Sequence, residues 1–360
     1  MLIQVNEYND YYKGSLAFCE AFMGNKRQTR YIYGINEYAD SLAKVIDVDG
    51  FIDDYTENKT YMGKPILRIS DVDPNSVVAS CVYSTRPIKI LNNLKAQGIK
   101  LYGTYLDLAR YAPNRLQQIK MLADTQQNYL THSEDFIWLR GRLCDQESKE
   151  ILDRLLEFRI NANLSAMSIF KFSPESQYFE PFCPLNAGEV FVDGGGFDGY
   201  TSLEFISRCP KYAAIHFFEP SAQYLEIAKI KLGTFERIHY HQLGLYDQNT
   251  SLRFDASAGP SSCISEDGAE TINVVALDNA VTEPVSFIKF DLEGAEPFAL
   301  RGCTRHIRQE HPKLAIAVYH KPQHFYEIPR IILDVYSGYE IYLRHYTEGC
   351  NETIMFFVPE

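Results

Sequence analysis

A short apolar strand, Val190-Phe191-Val192, runs directly into Asp193-Gly194-Gly195-Gly196-Phe197-Asp198-Gly199. Four glycines in seven residues, entered from a strand, suit the first crossover of a parallel α/β sheet, although the pattern alone is weak. The alternation then continues. Ile215-His216-Phe217-Phe218 ends at Glu219, Ile238-His239-Tyr240-His241 ends near Gly244, Phe287-Ile288-Lys289-Phe290 ends at Asp291, and Leu314 to Tyr319 ends at His320. Tyr339 to Arg344 and Thr353 to Val358 flank a turn with Gly349 and Asn351, which reads as an antiparallel hairpin. The expectation is an open, doubly wound sheet of five parallel strands with a terminal antiparallel hairpin.

In such sheets ligands bind outside the carboxyl ends of the strands, where this sequence places Asp193, Glu219, Asp291 and His320. Gly194, Gly196 and Gly199 form a literal Gly-x-Gly-x-x-Gly, with Glu219 about twenty residues on, as a dinucleotide site requires. Asp193 argues for a different ligand. A carboxylate beside a pyrophosphate is repulsive, whereas beside an aminoacyl-sulfonium such as S-adenosylmethionine it is favourable. A plain glycine turn with solvated acids is the third reading.

Asp291-Leu292-Glu293-Gly294-Ala295-Glu296 closes the fourth strand. Asp291 and Glu293 share a face only if the strand continues, and a turn at Gly294 is expected to splay them. They suit substrate positioning, proton transfer, or a divalent metal as hard oxygen ligands. Metal is not favoured, because no His-plus-acid cluster accompanies the pair in the sequence. Glu296 is expected in the first turn of the next helix, where negative charge suits the dipole. His320 titrates near neutrality and is a natural acceptor for a hydroxyl proton, although a packed strand-end histidine reads the same way. His345 is a weaker candidate, and His239 and His241 fit one polar face of a strand without a function.

Upstream, Tyr31-Ile32-Tyr33, Gly50 to Asp54 and Val77-Val78-Ala79 alternate with helical spacing at Glu37–Ile46 and Pro87–Gln97, which gives a smaller Rossmann-like module. From Arg115 to Phe182 the apolar period becomes 3.6. The expected division is residues 1–112 as that module, 113–182 as a helical connector and 183–360 as the larger α/β domain. The net charge of −12, with no basic run longer than Lys26-Arg27, argues against nucleic acid. Eight cysteines without a Cys-x-x-Cys pair read as reduced thiols in a cytoplasm. Met1 to Glu7 lacks the pattern of a signal peptide, and no apolar run is long enough to span a membrane.

Taken together, several blocks carry a family resemblance. They are Phe191-Val192-Asp193-Gly194-Gly195 with Asp198-Gly199, Phe218-Glu219-Pro220, Val275-Ala276-Leu277-Asp278, Ile288 to Glu296, Ala317-Val318-Tyr319-His320-Lys321 and Tyr342 to Tyr346. In that order they resemble the FkbM family of S-adenosylmethionine-dependent O-methyltransferases, over roughly residues 140–360. Asp145-Gln146-Glu147-Ser148 and Gln177-Tyr178-Phe179 resemble its lead-in. The run Gly194-Gly195-Gly196 departs from the small, non-glycine residues of many members. The resemblance implies a class I methyltransferase fold, with Asp193, Gly194, Gly195 and Gly199 around the methionine moiety. It also implies that Glu219, followed by Pro220, holds the ribose and that Leu243-Gly244 lies along the adenine. His320, Asp291 and Glu293 become the catalytic candidates. It further implies a sugar or glycan acceptor in surface polysaccharide synthesis, nucleotide- or lipid-linked, and S-adenosylhomocysteine as product. The N-terminal module, with Gly34-Ile35-Asn36 and Phe51-Ile52-Asp53-Asp54, resembles a small nucleotide-binding domain of bacterial sugar-modifying enzymes. It would dock a nucleotide-linked sugar or complete a homo-oligomer interface. An NAD-dependent sugar oxidoreductase and a non-catalytic nucleotide- or glycan-binding module remain the alternatives.

Overall fold

The computed structural model describes residues 3–5, 10–24, 28–255 and 262–360. Lys26-Arg27 and most of Met1 to Glu7 lie outside them. The described chain forms two compact units. The first takes in the residues up to Thr131, with Asp153–Phe172 and Tyr346–Asn351; the second takes in His132–Leu152, Ser173–His345 and Glu352–Glu360. The helix Thr125–Arg142 crosses this division and leaves helical geometry at His132 (φ −120°, ψ 27°).

In the first unit, strands β1 (Arg30–Tyr33), β2 (Gly50–Ile52), β3 (Thr60–Tyr61), β4 (Lys64–Leu67), β5 (Val77–Ser80) and β6 (Leu101–Thr104) form one sheet in the order 3-4-2-1-5-6. All neighbours are parallel except the β3–β4 hairpin. Ile32, Phe51, Ile52, Val77, Val78 and Ala79 on its central strands are fully buried, as parallel strands covered on both faces require. Tyr33, Ile52 and Val78 pack with Ile90 and Leu94 of the helix Pro87–Ala96. Pro87 starts that helix where its missing N–H costs nothing.

The second unit holds β7 (Val190–Gly194), β8 (Ala214–Phe218), β9 (Ile238–His241), β10 (Gly244–Leu245), β11 (Thr250–Asp255), β12 (Cys263–Ile264), β13 (Glu270–Val275), β14 (Phe287–Phe290), β15 (Lys313–Ala317), β16 (Tyr339–His345) and β17 (Thr353–Pro359). Its main sheet runs 16-17-15-14-7-8-9, parallel from β15 to β9, with β17 antiparallel to both β15 and β16. This is the doubly wound sheet with a terminal hairpin, and the strand order of a class I methyltransferase fold. The strand order reverses between β7 and β14, the switch point at which such sheets open a crevice.

A second sheet, β10-β13-β11-β12, is inserted between β9 and β14. Its Phe254, Ile272 and Val274 form a small core of their own. Sequence periodicity did not separate it, because its strands are short and their exposure is irregular. No helix among the described residues is long and apolar enough to cross a membrane.

Candidate active site

At the switch point of the second unit lies a cleft of about 650 Å³, its open mouth included. The glycine loop forms one side through Gly195 and Phe197, and the end of β8 adds Glu219 and Pro220. Leu243, Gly244 and Leu245 follow, and the inserted sheet supplies Phe254, Ile264 and Ile272. Asp291, Leu292 and Glu293 close the wall. Among the described residues, three carboxylates line the cleft and no basic side chain does.

Of the expected cofactor residues, Gly195, Glu219, Pro220, Leu243 and Gly244 stand on the wall; Asp193, Gly194 and Gly199 do not. Asp193 is fully buried beneath the loop. It lies opposite Lys289 in the β7–β14 register, so the two side chains meet on one face. Lys289 Nζ is 3.1 Å from Asp193 Oδ1, and the Ser202 hydroxyl donates to Oδ2 at 2.7 Å. Lys289 also donates to the Gly194 and Gly195 carbonyls, at 3.1 and 2.7 Å. Asp193 thus offers the cleft no free charge. It holds a buried cation that in turn shapes the loop. Gly194 abuts Phe290, and Gly199 packs on Ala228 of the following helix.

Gly195 is the glycine on which the cleft depends. Its φ is +72°, and a Cβ there would fall 1.9 Å from the Asp291 carbonyl oxygen. The loop and the acidic turn therefore touch backbone to backbone. Glu219 is buried at the rim, its two oxygens accepting from Phe197 N–H at 3.0 Å and Ser221 N–H at 2.8 Å. Burial raises its pKa, opposed by those two N–H donors. Phe197 stacks obliquely on Tyr224 at 4.2 Å, and both rings line the cleft.

Asp291 and Glu293 are not splayed. Glu293 adopts φ +51°, an uncommon conformation for a residue with a side chain, and Gly294 follows at +101°. The chain folds back so that both carboxylates converge on one histidine. His320 Nε2 lies 3.4 Å from Asp291 Oδ1 and 3.3 Å from Glu293 Oε2, while Nδ1 lies 3.0 Å from Glu296 Oε1. Glu296 does open a helix, Glu296–Arg301, but it does more than complement a dipole. Fully buried, it accepts from Leu292 N–H at 2.7 Å and faces both His320 and His324.

Burial opposes charge on His320, but the surrounding acids outweigh it, Glu296 foremost, and its pKa is raised well above that of a free imidazole. Burial likewise raises Glu293. Behind them, the Tyr178 hydroxyl donates to Asp291 Oδ2 at 2.6 Å. Gln177 Nε2 donates to Glu352, whose carboxyl is raised to about 7, first by burial and then by Asp291. Tyr178 and Glu352 were not singled out as chemical groups in the sequence. Both stand in loops, and both have positive φ. His345 is buried away from the cleft, bonded to Thr353 across the β16–β17 hairpin at 2.8 Å.

Residues 193–343 match the model of the methyltransferase FkbM domain. Over those residues the chain is similar to the FkbM methyltransferase domain. The crystal structure of methyltransferase FkbM from Methylobacillus flagellatus KT has the same fold, with a TM-score of 0.72 at 20% identity. That similarity covers 97% of this chain and 99% of the other. More distant are SMU.1697c, a putative methyltransferase from Streptococcus mutans in complex with SAH, and Aeropyrum pernix fibrillarin in complex with S-adenosyl-L-methionine. The first has a TM-score of 0.33 at 14% identity, covering 48% of this chain and 90% of that one. The second has a TM-score of 0.32 at 14% identity, covering 51% and 71%. No curated protein sequence matches significantly. The FkbM match begins at Asp193 and ends at Leu343, so it contains every residue named on the cleft wall.

Proposed function

We propose that the FkbM domain transfers a methyl group from S-adenosylmethionine to a hydroxyl oxygen, and that the acceptor is a sugar of a surface polysaccharide or its precursor. The observation that carries the donor is the charge of the cleft: three carboxylates and no basic side chain on an otherwise apolar wall. Such a wall suits a sulfonium and an ammonium and repels a pyrophosphate. When bound, the donor supplies a sulfonium methyl open to in-line attack.

The chain's own residues do the rest. Glu219 keeps lone pairs for a ribose diol while the Phe197 and Ser221 amides fix its carboxylate. Phe254, Ile264 and Ile272 exclude water on one side. Holding the acceptor oxygen in line supplies much of the rate. The hydroxyl must also lose its proton, and Asp291 with Glu293 are the groups on the wall able to take it. His320, crowded by Asp291, Glu293 and Glu296, packs against these carboxylates and fixes where they stand. We assign the N-terminal module, residues 1–112, to docking a nucleotide- or lipid-linked sugar or to a homo-oligomer interface, residues 113–182 to a connector and residues 183–360 to catalysis. A cytoplasmic location suits eight free cysteines.

Calorimetric titration with S-adenosylhomocysteine and, separately, NAD tests the reading on wild type and Glu219→Ala. Micromolar binding of the first alone, weakened in the variant, is expected. Binding of NAD, or of neither, overturns it in favour of an oxidoreductase or an inert binding module.

A further inference from the structure

The ring of His320 is a buried polar feature of the second unit, its side chain 4% exposed. Neither of its nitrogens has an aligned hydrogen-bond partner, although carboxylate oxygens surround both. A buried imidazole without aligned partners is costly, so this crowding by misaligned acceptors needs a reason. The separations supply one. An ion with bonds of about 2.0–2.1 Å sets neighbouring ligand atoms about 3.0 Å apart at right angles and about 3.4 Å apart at the tetrahedral angle. Nε2 stands 3.4 Å from Asp291 Oδ1 and 3.3 Å from Glu293 Oε2, and these three donors lie within 4.8 Å of one another.

We propose that Asp291, Glu293 and His320 bind a divalent cation on the wall of the cleft, with Glu296 as the outer carboxylate behind the histidine. Glu296 Oε1 lies 3.0 Å from Nδ1, on the side of the ring away from Asp291 and Glu293, and is pinned by the Leu292 amide. A carboxylate there fixes the tautomer that leaves Nε2 free for a metal, the usual outer shell of a ligating histidine. The positive φ of Glu293 brings its carboxylate back to the ring, and such backbone strain is characteristic of sites where geometry matters. One imidazole and two carboxylates suit Mn²⁺, Fe²⁺, Co²⁺ or Zn²⁺ rather than a soft ion.

Three protein ligands leave positions open towards the cleft. An acceptor hydroxyl bound there loses its proton more readily, as metal-bound water does. That role rests on the methyl-transfer reading; the binding site does not.

Two other clusters make the proposal discriminating. Glu296, His320 and His324 form a second group within 4.8 Å, buried behind the first, and His216, His239 and Glu283 form a third at the β8–β9 edge. The experiment strips the full-length protein with chelator and titrates it with Mn²⁺, following free Mn²⁺ by electron paramagnetic resonance. Wild type, Glu293→Gln, His320→Ala, His324→Ala and His239→Ala are compared, each also titrated with S-adenosylhomocysteine. One Mn²⁺ per chain is expected, weakened at least tenfold in Glu293→Gln and His320→Ala and unchanged in His239→Ala. S-adenosylhomocysteine affinity should stay within about threefold in His320→Ala, His324→Ala and His239→Ala, and circular dichroism reports that all the variants are folded. No stoichiometric binding overturns the proposal. So does loss in His324→Ala without loss in Glu293→Gln, or loss in His239→Ala alone. Failure of S-adenosylhomocysteine to bind wild type overturns the donor assignment instead and leaves the metal titration readable.

Discussion

Both units present a parallel sheet with acidic residues at the carboxyl ends of its strands, yet they use those acids differently. In the first unit the polar groups are taken up by the backbone. Asn36 caps the helix Glu37–Val45 by accepting from the Tyr38 and Ala39 amides, both at 3.0 Å. Asp53 accepts from the Tyr55 and Thr56 amides, and Asp54 from Ile69 N–H and the Tyr33 hydroxyl. Asp107 closes a capping box with Thr104. In the second unit Glu219, Asp291 and Glu293 keep oxygens facing a cleft, and His320 is crowded by acids it does not satisfy. One architecture gives two outcomes, so a strand-end acid signals chemistry only when its hydrogen-bonding capacity is unspent.

Substitutions of like chemistry in the two sheets sharpen that contrast. The largest effect is expected at the cleft: Glu293→Gln should lower kcat by about 10²–10⁴-fold, since proton transfer is worth that much. Asp54→Asn in the first unit should leave kcat unchanged within error and lower Tm instead. Equal losses of kcat in both would erase the distinction.

Next is Asp193→Ala, which strands Lys289 as a buried unpaired cation and should cost about 3–5 kcal/mol in denaturant unfolding. The double variant Asp193→Ala/Lys289→Met should recover most of it, and no recovery would show that the pair is not what holds the loop.

A smaller effect is set by pH. The Glu352 carboxyl, raised to about 7, binds its proton more tightly folded than unfolded. It therefore costs no stability below its ordinary pKa, and an increasing amount as pH rises from there to about 7, after which the cost is constant. Glu352→Gln should gain Tm over wild type across that window and keep the gain above it. A flat difference between pH 4.5 and 7.5 would remove Glu352 from the linked cluster. The smallest effect is Asn36→Ala, about 1 kcal/mol of stability through a lost helix cap and nothing in turnover.

The main sheet of the second unit was legible because most of its strands are apolar and end on a polar residue or glycine. The convergence of Asp291, Glu293 and His320 was not legible. Spacing of two residues predicts opposed carboxylates only while backbone stays regular, and the positive φ at Glu293 reverses that outcome. Asp193 misled for the opposite reason. Its position at the strand end is as read, but its partner Lys289 lies nearly a hundred residues away and is brought alongside only by sheet register. Tyr178 and Glu352 reach the cluster from loops, where periodicity carries no information.

The contact between Gly195 and the Asp291 carbonyl has a mechanical consequence. With no side chain between them, and with the Asp291 amide bonded to the Gly194 carbonyl at 3.2 Å, the donor loop and the acidic turn have no slack. Whatever settles the loop settles the acids with it, so the two order together.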